Sequence, residues 1–108
     1  MNYLLIRHNV ADFAKWKPAY DTHGSARANA GLKEERLLRN IDNPNEVVLL
    51  FSAQDLNRAK QFAASDDLRQ RMQQAGVIDK ADIWFLNDWK SDWLPIPASA
   101  KKAETLRG

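Results

Sequence analysis

Five consecutive apolar residues, Val47 to Phe51, form the longest uninterrupted apolar run in the chain, and the turn-forming Asp42-Asn43-Pro44-Asn45 precedes them. The run is too short for a helix of ordinary length and reads as a strand over Glu46 to Ser52. Side chains alternate between the two faces of a strand, so an unbroken apolar run puts apolar groups on both. Sheets patterned this way are buried on both faces. Tyr3 to His8 carries a similar signature, with Tyr3, Leu5 and Arg7 on one face and Leu4, Ile6 and His8 on the other. Whatever this chain folds into must cover a sheet twice.

The remaining elements follow from their periods. Asp12 is suited to cap a helix in which Phe13, Trp16, Tyr20 and Gly24 recur at helical spacing until Gly31 stops it. Pro18 lies inside that pattern and cannot donate to the carbonyl of Ala14, so either the helix kinks there or the main helix starts at Lys17-Pro18. Leu32 to Ile41 is strand-like and forms a hairpin with Glu46–Ser52. Asp55 caps a second helix containing Ala59 and Phe62. Ser65-Asp66-Asp67 reads as a fresh start that continues through Leu68 and Met72 to Gly76, so this helix is expected to break near Ser65. A last strand from about Ala81 to Trp89 alternates Ile83, Phe85 and Asn87 against Trp84 and Leu86.

No internal repeat is visible beyond a twofold βαβ rhythm. The order β-α-β-β-α-β predicts an α+β, ferredoxin-like split fold, a four-stranded antiparallel sheet with two helices on one face. This domain is expected to span residues 1–90. Residues 91–108, where Trp93-Leu94-Pro95-Ile96-Pro97 is apolar but twice interrupted by proline, are expected to form an extended C-terminal tail docked on some surface and mobile beyond Ala98. The second sheet face needs a cover. A homodimer packed sheet to sheet is the simplest, and the tail or another protein are the alternatives.

Composition narrows the function classes. A chain of 108 residues fits one domain, and its 16 Lys and Arg against 14 Asp and Glu are interspersed, with no basic stripe for nucleic acid. The absence of Cys removes disulfides, thiolate metal sites and cysteine nucleophiles. No apolar run approaches the length of a membrane span, and Arg7 and His8 interrupt the stretch a signal peptide would need, so a soluble, cytoplasmic protein is expected. No G-x-G-x-x-G, P-loop or G-x-S-x-G occurs. His8 and His23, even with Asp12 or Asp21 nearby, lack the close ligand spacing of a metal site, and no metal is expected.

The element order, Asp12-Phe13-Ala14-Lys15-Trp16-Lys17 opening the first helix, the Gly31-Leu32 strand entry, Ser65-Asp66-Asp67-Leu68 in the second helix and Trp84-Phe85-Leu86 in the last strand together resemble the dimeric α+β barrel superfamily, in particular small proteins related to the antibiotic biosynthesis monooxygenases. The resemblance covers residues 1 to about 90, and its motifs mark architecture more than chemistry. It implies a pocket in each subunit between sheet and helices. The activities it implies range from cofactor-free oxygenation of polycyclic phenols through polyketide cyclisation and haem degradation to none. Two branches fit poorly. Asp55 to Gly76 has neither the Trp nor the His of the haem-degrading members, and His8 ends the first strand where the stress-responsive branch has a His at its start. No cofactor is expected.

At about 100° per residue, Trp16, Tyr20, His23 and Arg27 share one face of the first helix. A helix packed on a sheet ordinarily fills that stripe with Leu, Ile and Val, so this mixture suggests a semi-polar cavity wall. In the catalytic reading His23 is the general base for a phenolic or enolisable substrate, Tyr20 its hydrogen-bonding partner, and Arg27 stabilises the anion formed. In the plain reading Trp16 and Tyr20 are core, and His23 and Arg27 sit in water at the helix edge. His8 could reach the same pocket or lie satisfied at the surface. Trp84, Trp89 and Trp93 could line a flat ligand or anchor the dimer. Asn87, like Asn40, could hydrogen-bond a ligand or be a strand-end residue. Arg58, Lys60, Arg69 and Arg71 balance Asp55, Asp66 and Asp67 as on a solvated helix surface. The function expected is a small homodimeric protein with an apolar or aromatic ligand pocket, as a cofactor-free monooxygenase or cyclase acting on phenolic or polyketide-like compounds. The alternative is a non-catalytic small-molecule or protein-binding module.

Overall fold

The computed structural model describes residues 1–89, which run β1 (Asn2–Asn9), α1 (Phe13–Thr22), α2 (Gly24–Asn29), β2 (Leu32–Arg39), β3 (Glu46–Ala53), α3 (Leu56–Ala63), α4 (Asp66–Gln74) and β4 (Asp82–Asn87). The strands form one antiparallel sheet in the order β2-β3-β1-β4, so the two most apolar strands occupy its middle. This is the α+β, ferredoxin-like arrangement. The stretch Trp93 to Pro97 and the rest of the expected tail lie outside the described residues.

Alternation on the central strands divides the sheet. Leu4, Ile6 and His8 of β1 and Val47, Leu49, Phe51 and Ala53 of β3 are buried, in one cluster with Trp16 and Tyr20 of α1 and Ala59 of α3. All the helix residues of that cluster therefore pack on one face. On the other face, Leu5 pairs with Leu50 and with Trp84 in a single row across three strands, flanked by Val48, Leu86 and Leu38. Trp84, Leu86 and Leu38 are each more than two-fifths exposed, an uncommonly apolar surface for a sheet face that no element among the described residues covers. Arg7, on this same face, is held by Glu46 on one side (2.6 Å) and Asp82 on the other (2.8 Å), so one guanidinium ties β1 to both neighbours.

Local chemistry sets the element ends. The Asp12, Asp55 and Ser65 side chains each accept a hydrogen bond from the first turn of α1, α3 and α4, and the expected break near Ser65 is present. The first helix differs from expectation. Pro18 lies within α1 without ending it, and the interruption falls instead at His23, which closes α1 and opens α2. Gly24 and Ser25, both weak helix formers, follow the break. β2 stops at Arg39, short of Ile41, because the Asn40 side chain accepts from the backbone N–H groups of Asp42 and Asn43 and turns the chain. β4 is also shorter than the sequence pattern. A bulge between Glu34 and Arg36 shifts the β2–β3 register and lets Glu34 face the helices while Glu35 reaches Ser52 on the open side. No described helix is long and apolar enough to cross a membrane.

Gly31 carries φ of +77°, with Gln54 Cβ 3.5 Å from where its own Cβ would stand, whereas Gly24 has room for one. Gly31→Ala is expected to cost about 1–2 kcal/mol by the strain of a left-handed non-glycine residue. Gly24→Ala should stay within about 0.5 kcal/mol of the parent. Urea denaturation of both variants checks the pair.

Candidate functional site

The break at His23 does not scatter the polar side chains of the first helix. Trp16, Tyr20, His23 and Arg27 all line one cavity between the helices and the sheet, and His8 reaches it from β1. The sheet contributes Ile6, Leu49 and Phe51 as its floor, and Phe62 of α3 with Leu68, Arg71 and Met72 of α4 close the opposite wall. Its enclosed volume is about 50 Å³. That is smaller than the roughly 150 Å³ cavity that accepts a benzene molecule.

One wall is a continuous stack. The His8 ring meets Trp16 edge-on at 5.7 Å, Trp16 stacks on Tyr20 at 4.8 Å, and the Arg27 guanidinium lies 3.6 Å over the Tyr20 ring. Arg27 Nη1 also donates to the backbone carbonyl of Tyr20 at 2.8 Å, which fixes the cation in place. The Tyr20 hydroxyl donates to Glu34 Oε1 at 2.6 Å. Burial and then this carboxylate hold the Tyr20 phenol well above its ordinary pKa, so it stays protonated through the physiological range. Tyr20 thus serves as a rigid spacer. Its hydroxyl is engaged away from His23, unlike the partnership drawn from the sequence.

The two histidines occupy different environments. His8 is 2% exposed, and no group among the described residues hydrogen-bonds its Nδ1. Burial lowers its pKa below 6.5, outweighing the attraction of Asp79. Its burial excludes a surface position for this strand-end histidine. His23 is half-buried at the mouth, where burial, then Arg71, then Arg27 depress its pKa, opposed by Asp67. Both rings are therefore neutral at pH 7, able to accept a proton or a hydrogen bond.

In the sequence Arg71 reads as one of the solvated charges of the second helix, yet it lines the mouth, its Nε donating to Asp67 at 2.8 Å. The apolar stripe Leu68, Met72 and Ala75 at i, i+4 and i+7 was the available signal, since it turns that flank of α4 toward the cavity. Trp84 and Asn87 are not brought to this cavity. Trp84 projects from the open face of the sheet because it shares the parity of Leu5 and Leu50. Asn87 is exposed at the end of β4, beside a separate open-face hollow with Tyr3 and Leu86. Asn40 is exposed in the β2–β3 turn, donating to Glu46. Among the described residues, no three His, Asp or Glu side chains converge as a metal site would require.

No family model and no curated protein sequence matches the chain. Solved structures do. The cofactor-independent oxygenase SnoaB from Streptomyces nogalater superposes with a TM-score of 0.64 at 16% identity, covering 88% of this chain and 97% of its own. An antibiotic biosynthesis monooxygenase gives 0.62 at 11% identity, over 83% of this chain and 100% of its own. An uncharacterised NIPSNAP domain protein from Burkholderia xenovorans gives 0.59 at 11%, over 82% and 95%. At these identities the likeness is one of fold. The four-stranded antiparallel sheet with its helices is shared with the antibiotic biosynthesis monooxygenase and SnoaB structures.

Because the folded protein holds His8 below its ordinary pKa, the unfolded chain binds more protons near pH 6, and stability should fall as pH drops below about 6.5. His8→Phe, which keeps an aromatic ring against Trp16, should flatten the profile of unfolding free energy between pH 7 and 5.5, leaving the contribution of His23, whose pKa is also lowered. Chemical denaturation across that range reads the difference.

Proposed function

We propose that this protein is a homodimer whose subunits each bind a small aromatic compound in the cavity between the helices and the sheet. The observation that carries the reading is the lining itself: apolar residues on the floor and far wall, with two neutral imidazoles and two guanidiniums at defined places. Ligand sites are built in this way, mostly apolar with a few placed polar groups. The enclosed space favours a single ring seated partly in the mouth. A polycyclic ligand would require α4, none of whose residues is buried, to swing outward.

The activity we assign is cofactor-free oxygenation, or a cyclisation of related mechanism, on a phenolic or enolisable compound. The SnoaB likeness supports it as an analogy of fold. At the mouth, His23 accepts the acidic proton of the ligand. Arg27 and Arg71 stand beside it to stabilise the anion left behind. Such an anion is electron-rich enough to donate to molecular oxygen directly, and an enolate can equally attack a carbonyl of its own chain. Tyr20 orients Arg27 through the stack. The non-catalytic alternative, a binding module, uses the same cavity without turnover.

The second copy is proposed for the open sheet face. Leu5, Leu50 and Trp84 form its centre, and Arg7 already has its charge matched within the chain, so covering it leaves no unpaired ion. A stable interface of this type buries roughly 2,000 Å² or more. Trp84→Glu is expected to convert dimer to monomer in sedimentation velocity, and a parent protein that sediments as a monomer would remove the dimer. His23→Ala is expected to abolish substrate-dependent oxygen uptake while keeping stability within about 1 kcal/mol. Undiminished uptake would take His23 out of the mechanism.

A further inference from the structure

The cavity is charged on one side only. His23, Arg27 and Arg71 stand at its mouth, whereas the floor and the far wall are built from Ile6, Leu49, Phe51, Phe62, Leu68 and Met72. The three floor residues are at most 5% exposed. An internal water takes about two to four hydrogen-bonding partners, and these apolar side chains offer none. His8 does not change this, because its Nδ1 is itself buried behind the lining. Apolar cavities of this kind stay dry.

Volume sets the second limit. The enclosed space of about 50 Å³ exceeds the roughly 10–15 Å³ that a water molecule needs and falls well short of the roughly 150 Å³ of a cavity that takes benzene. A dry apolar space between those bounds suits a diatomic gas or a xenon atom, neither of which gives up a hydrogen bond on leaving water. Entry needs no large movement, since α4, which supplies the far wall, buries no residue outright. We propose that this inner space is a site for molecular dioxygen, placed behind the aromatic compound and opposite the charged groups of the mouth. This rests on the oxygenation reading above and adds where the second reactant sits and which side chains hold it. The two reactants then occupy different environments. The proton and the negative charge are handled by His23, Arg27 and Arg71, while the gas meets the ring from the side that water does not reach.

Dissolved dioxygen is paramagnetic and speeds the relaxation of nuclei beside it, so the site can be read without turnover. In the methyl-labelled full chain, compared under oxygen and under nitrogen, the methyls of Ile6 and Leu49 are expected to show a severalfold larger enhancement than those of Leu4, Val10 and Val47. These controls are buried at least as deeply and do not line the cavity. Ala75→Leu, which extends a side chain from the cavity wall into the space, should bring Ile6 and Leu49 down to the level of the controls. The wild-type comparison decides by itself if that variant fails to fold. Equal enhancement at the lining and control residues overturns the dioxygen site. Phenol probes the mouth: it should shift the imidazole resonances of His23 and leave the oxygen effect on Ile6 and Leu49 in place. Loss of that effect on adding phenol puts the ring in the inner space and overturns the arrangement. A His23 that does not respond to phenol overturns the mouth as an aromatic site, and with it the role of dioxygen as a reactant, whereas a surviving contrast between lining and control methyls keeps the gas site.

Discussion

Trp16 is the side chain through which the fold and the cavity become one object. It is 2% exposed, the largest group α1 commits to the sheet, and its two neighbours in the stack are His8 from β1 and Tyr20 one turn along the helix. Phe13 adds a third aromatic contact at 5.5 Å. Packing of this kind fixes both the distance of the helix from the sheet and its rotation, because rings that stack and meet edge-on tolerate few alternative arrangements. Once α1 is fixed, Tyr20 is directed at Glu34 on β2 and its ring becomes the platform for Arg27. The cation at the mouth is thus positioned by the core.

The sheet supplies the second constraint. Its middle strands are apolar on both sides, and the helices satisfy only one of them. The row of Leu5, Leu50 and Trp84 faces away from the helices, so this protein divides its apolar surface between an internal core and a face suited to a partner. Arg7 stands among these residues without contradicting that use, its guanidinium already matched by Glu46 and Asp82. On the helix side, α4, like α2, is thinly held. It buries no residue outright, yet it provides Leu68, Arg71 and Met72 to the cavity. A wall of the cavity and weak packing coincide there, as is common in elements that open locally.

Much of this was legible in the residues because strong local signals agreed with the global fold. Asp12, Asp55 and Ser65 are capping residues that cap, Gly31 is a stop that takes positive φ, and the period-2 pattern of β1 divides the strand as observed. The grouping of Trp16, Tyr20, His23 and Arg27 survives because the break at His23 is slight. Other features depend on what lies across space. The burial of His8 is decided by α1 laying Trp16 over it, which no neighbour in sequence announces. Arg71 reads as one of several surface charges until α4 is placed over the cavity. Trp84 was readable either as ligand-lining or as interface. Strand parity decides, because its register with Leu5 sends it to the open face. The hydroxyl of Tyr20 meets Glu34 only because a bulge in β2, invisible to a periodicity argument, turns that carboxylate toward the helices.

Both faces of the sheet can be examined together by native mass spectrometry of freshly purified protein. A filled cavity and a covered open face make one compound expectation: a dimer that carries additional mass of small-molecule size, lost on collisional activation before the subunits separate. A bare monomer across the concentrations sampled would contradict it, since the open apolar face would then be stable in water and the cavity empty.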